Sequence, residues 1–175
     1  ATSIDYLPKA EETQKFFATV QNKLHFAITG KTAAEIISER VSSKKPNMGL
    51  TTWRKAPVGK IMHSDIVIAK NYLGHKEIDL LNRIVTMYLD HAELQAVRGK
   101  SMKMKDWVKK LNAFLKFSEY EILTDSGKVS HEVAQTLAEK EYEVYRKEQD
   151  KFFESDFDKE VKKLIQDSKS KKKSH

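Results

Sequence analysis

Apolar residues recur at three- and four-residue spacing along most of this chain, which is the pattern of amphipathic helices. In residues 8–28 they form one stripe, and Pro8 suits a first helical position because its missing amide hydrogen is not needed there. Gly30 follows the stripe, and glycine commonly ends a helix in the left-handed conformation. The pattern predicts a first helix over residues 8–28.

A capping box marks the start of the second helix. The Thr32 hydroxyl can accept a hydrogen bond from the amide of Glu35, and the Glu35 carboxylate can accept one in return from the Thr32 amide. An apolar body follows, and the helix is expected to end near Ser42, before the Lys45-Pro46 pair. These signals predict a short helix that begins directly after Thr32.

The same spacing predicts the remaining helices at about residues 65–73, 75–98, 104–120, 130–153 and 156–166. No alternation of period two is long enough to indicate a strand. We therefore expect an all-α fold of six to seven helices in one compact domain over residues 1–166. Residues 167–175 are expected to form a basic disordered tail, since they carry four lysines and one aspartate.

The apolar stripe of the helix at 130–153 is thinner than the others. It consists of isolated positions that include Val133, Leu137, Tyr142, Tyr145 and Gln149. A thin stripe leaves open that a second copy of the chain covers it, so a homodimerisation module is one alternative function.

Composition limits the class of protein. The 175 residues are 39% hydrophobic and 33% charged, with six Gly and three Pro, which suits one folded helical domain. The lack of cysteine excludes disulfides and cysteine nucleophiles. No apolar run approaches the roughly 20 residues of a membrane span, and the first residues lack a signal-peptide pattern. We expect a cytoplasmic protein without a membrane partner and, as no initiator Met is present, a piece of a longer chain.

A basic segment carries the clearest functional signal. Residues 40–64 contain no acidic residue, although 25 of the 175 residues in the chain are acidic. Within them, about residues 43–62 are predicted to be a long irregular loop, because Pro and Gly interrupt the pattern. Phosphate contacts, base stacking and added charge are expected from Arg40, Lys44, Lys45, Asn47, Trp53, Arg54, Lys55 and Lys70. The alternative is a solvated loop whose Trp53 packs inward.

A small polar pocket is the rival site. Gly30-Lys31-Thr32 matches the end of a phosphate-binding loop, but His25 stands where that motif needs glycine. A small-ligand or enzymatic pocket near the Gly30 turn would use His25, Lys31, Thr32, Glu35 and Asn71. No recognisable catalytic motif and no metal-ligand spacing occurs, so neither catalysis nor a cofactor is expected.

Several long strings resemble a known family. They match, in order and over about residues 1–160, the carboxy-terminal half of the RhuM family of bacterial virulence-associated proteins: TQKFFATVQNKLHFAITGKTAAEIISER, KPNMGLTTW, SDIVIAKNYL, EIDLLNRIVTMYLDHAELQA and VSHEVAQTLAEKEYEVY. The resemblance implies an amino-terminal half, missing here, that looks like a helix-turn-helix DNA-binding region. It assigns no catalytic residue.

Together these observations favour a non-enzymatic regulatory or interaction domain. Its partner is expected to be nucleic acid or an acidic protein, bound through the basic loop. The polar pocket and homodimerisation remain the alternatives.

Overall fold

The computed structural model describes residues 3–152, together with 161 and 165. Two 3-10 turns, Pro46–Gly49 and Ala69–Tyr72, interrupt the connections between helices. Six α-helices are present in the described residues: α1 (Glu11–Thr29), α2 (Ala33–Arg40), α3 (His63–Ile66), α4 (His75–Val97), α5 (Met104–Phe117) and α6 (His131–Phe152). No strand occurs among them, so the all-α prediction is confirmed.

Short α2 is the centre of the packing. It contacts α6 on one side and α1 on another, while α1 also packs against α4 and α5. Ile36 and Ile37 of α2 are 0% and 2% exposed. They belong to one continuous apolar core that also contains Met48 and Ile61 from the predicted loop. The loop therefore contributes to the core of a single domain.

The predicted boundary between α1 and α2 is confirmed. Gly30 has φ 70°, the left-handed conformation that glycine adopts without steric cost, and its amide donates to Phe26 O. The Thr32 amide donates to Glu35 Oε2 at 2.7 Å, and the Glu35 amide donates to Thr32 Oγ1 at 3.4 Å. Both halves of the capping box are present.

The predicted start of α1 at residue 8 is wrong, since the helix begins at Glu11. Residues before it bond instead to the segment that leads into α5: the Ile4 amide donates to Met102 O at 3.0 Å, and the Asp5 carboxylate accepts from the Met104 amide at 2.9 Å. The chain must turn away from α5 before a helix can begin, and Pro8 lies in that turn.

The prediction of one continuous helix over residues 65–73 is also wrong. The segment consists of α3 followed by the turn Ala69–Tyr72. The Asp65 carboxylate accepts hydrogen bonds from the amides of Met62 and Arg54, at 2.8 and 3.0 Å. Asn71 Nδ2 donates to Asp65 O at 2.9 Å, and that carbonyl would otherwise bond the amide four residues later. These contacts end the helix after one turn.

The buried face of α6 agrees with the predicted stripe at Leu137, Tyr142 and Tyr145, which lie in or against the core, but it also contains two alanines that the stripe left out. Ala134, Ala138 and Tyr142 face the core, whereas Val133 is 60% exposed. Alanines four residues apart let α6 approach α2 closely, so the stripe is thin because its side chains are small. The predicted helix at 156–166 and the tail lie outside the described residues, except that 161 and 165 are helical.

Candidate nucleic-acid interface and polar cavity

The basic loop is fixed onto α6 by a glutamine. Gln149 Oε1 accepts from the Ile61 amide at 2.8 Å, while Gln149 Nε2 donates to the Ile61 carbonyl at 3.1 Å. The Tyr142 hydroxyl donates to the same carbonyl at 3.2 Å. Because Ile61 itself is buried, these bonds satisfy backbone groups that water cannot reach.

Carboxylates of α6 contact both ends of the loop. Asp150 pairs with Lys60 at 2.7 Å, and Glu139 lies 3.3 Å from the imidazole of His63. The Glu141 carboxylate accepts from the Ser43 amide at 2.5 Å, and this bond lowers the pKa of Glu141. The segment without acidic residues therefore contacts acidic residues that lie 76 to 98 positions later in the sequence.

The tip of the loop, residues 54–58, is exposed to solvent and is closed at its base by hydrogen bonds. Trp53 Nε1 donates to Gly59 O at 2.7 Å, and the Gly59 amide donates to Lys55 O at 2.7 Å. All five tip residues are exposed, Val58 most of all at 88%. Neither Arg54 nor Lys55 has a carboxylate within 4 Å in the described part of the chain.

A shallow cleft of about 310 Å³ separates this tip from α6. Two half-buried aromatic side chains, Trp53 and Tyr145, line it together with the polar side chains of Asn47, Lys60 and Gln149. Aromatic faces beside amide groups and cations are the components with which proteins stack and orient unpaired bases.

The other predicted phosphate contacts lie elsewhere. Arg40 donates to both carboxylate oxygens of Glu77 at 2.6 Å and to Tyr72 O at 2.8 Å, which raises the pKa of Arg40 and lowers that of Glu77. Lys45 Nζ donates to Arg40 O at 3.0 Å. Lys44 is exposed. Of the eight predicted residues, Asn47, Trp53, Arg54 and Lys55 come together at the tip and cleft.

A second and larger cavity, of about 1060 Å³, lies between α1, α4 and the segment before α6. His25 and Thr32 of the predicted pocket line it, and Lys70 lies here rather than at the loop. We call it the His25 cavity. Its lining adds side chains that the sequence pattern did not single out: Asn22, Asn82 and Lys128.

The remaining residues of the predicted pocket are not in this cavity. Lys31 forms an ion pair with Glu39, and Lys31 and Glu35 line a separate depression of about 610 Å³. Asn71 lines neither cavity, since its amide is bonded to Asp65 O. Glu35 Oε1 accepts from the Lys128 amide at 2.7 Å, so its carboxylate forms part of the wall between the two spaces.

Within the described residues, no helix is long and apolar enough to cross a membrane, and no three His, Asp or Glu side chains are grouped as metal ligands would be.

The fold and the two sites define an all-helical domain with an exposed cationic loop and a polar cavity. Residues 1–154 match the virulence protein RhuM family, and because this covers most of the chain, the protein belongs to that family. Comparison with curated proteins and with solved structures gives no match.

Proposed function

We propose that this chain is a non-enzymatic interaction domain that binds single-stranded nucleic acid through the loop tip and the adjoining cleft. The supporting observation is that Arg54 and Lys55 have no carboxylate partner within 4 Å among the described residues and lie next to a cleft lined by Trp53 and Tyr145. Such a role also implies a cytoplasmic location.

The cations at the tip supply the attraction to phosphate. Arg and Lys side chains release counterions when they neutralise phosphates, and the Trp53–Gly59 hydrogen bond fixes the backbone that carries them. Less conformational freedom is then lost on binding, which favours affinity. The paired Arg40 and Lys60 contribute little, because each already contacts a carboxylate.

The cleft supplies the preference for unpaired bases. A base in a duplex is stacked on its neighbours and its faces are unavailable, whereas an unpaired base can lie against Trp53 or Tyr145. Asn47 and Gln149 carry amides at the rim of the same cleft. We therefore expect tighter binding to a single strand than to a duplex of equal length.

Fluorescence anisotropy with a labelled dT12 strand and a 12-base-pair duplex tests the proposal. With two phosphates neutralised, a slope of about −0.7 per phosphate gives a roughly sevenfold loss of affinity between 50 and 200 mM salt. The double variant R54A/K55A should bind weakly and almost without salt dependence. The control K109A/K110A removes the same charge from exposed positions on α5 and should bind like the wild type.

Three results would overturn the proposal. These are no binding at 50 mM salt, equal losses in both double variants, or equally tight binding of polyglutamate. Equal losses would mean that only overall charge matters, and polyglutamate binding would point to an acidic protein partner.

A further inference from the structure

The His25 cavity contains a polar side chain that lacks a partner. His25 is only 8% exposed, and its Nδ1 has no hydrogen bond among the described residues. A buried nitrogen without a partner costs roughly as much as a lost hydrogen bond, so such groups in folded proteins commonly face a ligand or an ordered water. Burial, followed by the charge of Lys70, lowers the pKa of His25, which favours the neutral ring.

Two side chains with hydrogen-bond donors line the cavity together with this ring. Asn22, one helical turn before His25, uses Oδ1 to accept from the Ala33 amide at 3.0 Å. The NH2 group of Asn22 can only donate, and it makes no hydrogen bond in the described part of the chain. Lys70 also lines the cavity, and it has no carboxylate within 4 Å there.

Charge in the lining favours an anion. Lys70 and Lys128 contribute two positive charges, and Glu132 contributes the single negative charge among the lining residues, a net of +1. Glu132 lies in the first turn of α6, where the helix dipole favours a negative group. The part of the lining that belongs to α4 carries the apolar side chains of Leu81 and Val85 beside the polar Asn82.

We propose that the His25 cavity binds a small organic anion, whose carboxylate or phosphate lies between His25, Asn22 and Lys70 and whose apolar body packs against α4. The volume of about 1060 Å³ exceeds that of a metal ion or a free phosphate and is comparable with ordinary ligand pockets. This function is independent of nucleic-acid binding, because none of these residues lines the loop cleft.

The test uses four probes on the full chain: benzoate, phenyl phosphate, inorganic phosphate and, as a cation with the same ring, benzylamine. For probes of this size, a Kd of about 1 mM is a realistic expectation. At 10 mM, benzoate or phenyl phosphate should then raise the Tm by about 3 to 6 °C. Benzylamine and inorganic phosphate should raise it by less than about 1 °C. The organic anion that raises the Tm more shows whether the cavity prefers a carboxylate or a phosphate group.

Variants locate the binding. Lys70→Gln should weaken binding of the organic anion about fivefold or more, whereas Lys76→Gln, an exposed lysine of α4 outside the cavity, should leave it unchanged. In the wild type, the imidazole NMR signal of His25 should shift on addition of the anion, and that of the exposed His75 should not. His25→Gln should abolish the rise in Tm that the organic anion causes in the wild type.

The proposal fails if neither organic anion raises the Tm, or if benzylamine raises it equally. It also fails if Lys70→Gln and Lys76→Gln behave alike, because the anion would then bind outside this cavity.

Discussion

Gly49 offers a direct test of how the basic loop is folded. It has φ 83°, and a Cβ atom at this position would lie 2.3 Å from the backbone oxygen of Arg40 and 3.2 Å from its carbonyl carbon. Backbone atoms cannot move aside as the end of a flexible side chain can. The substitution Gly49→Ala must therefore displace either the loop or the end of α2.

Two energies add in this variant. A left-handed backbone costs a residue with a Cβ about 1–2 kcal/mol, and overpacking typically costs about 1–3 kcal/mol more. Gly99→Ala isolates the first energy, since Gly99 has φ 66° and no atom within 4 Å of its added Cβ. For a chain of this size, each kcal/mol lowers the Tm by about 2–4 °C.

Thermal unfolding of the two variants side by side measures the difference. We expect the Tm to fall by about 5 °C for Gly99→Ala and by about 10 °C for Gly49→Ala. Equal decreases would mean that Gly49 does not lie against the Arg40 carbonyl, and would refute the loop geometry described above.

Three further predictions concern the ion pair, the cleft and the loop anchor. Glu77→Gln should cost about 1–3 kcal/mol at pH 7. The hydrogen bond from Arg40 lowers the pKa of Glu77. The contribution of Glu77 to the free energy of unfolding is therefore complete above the ordinary pKa of 4.5 and is lost as the pH falls through the lower pKa of the folded state. In urea titrations, the free energy of unfolding of the variant should depend less on pH in that range than that of the wild type. Tyr145→Leu should weaken dT12 binding about fivefold or more without changing the salt slope, measured by anisotropy; a changed slope would contradict a stacking role. Gln149→Leu leaves the Ile61 amide without its partner, whereas the Ile61 carbonyl keeps the Tyr142 hydroxyl, and it should speed hydrogen exchange at the Ile61 amide while exchange in α4 stays unchanged.

Local signals in the sequence predicted the boundary between α1 and α2. The left-handed Gly30 and the capping box of Thr32 and Glu35 involve residues no more than four positions apart, so their geometry is encoded where it occurs. Continuous stretches of sequence likewise indicated the family, and the family match over residues 1–154 confirms it.

Features that depend on distant residues were not predictable in this way. The bond between the Asp65 carboxylate and the Arg54 amide joins α3 to the loop, and the loop depends on Gln149, 88 positions beyond Ile61. Gln149 did stand out as a polar residue on an apolar stripe, but no pattern named its partner. Arg40 appeared to be a free cation because its partner Glu77 lies 37 positions away.

Helix α6 runs past both candidate sites. Glu132, in its first turn, lines the His25 cavity, and Gln149, near its other end, holds the loop. At 1.5 Å per residue these two positions are about 25 Å apart on one rod. Because Gln149 bonds both the amide and the carbonyl of Ile61, the backbone of the loop is attached to the same helix whose first turn lines the His25 cavity. Two sites that share no residue are thereby built on one helix.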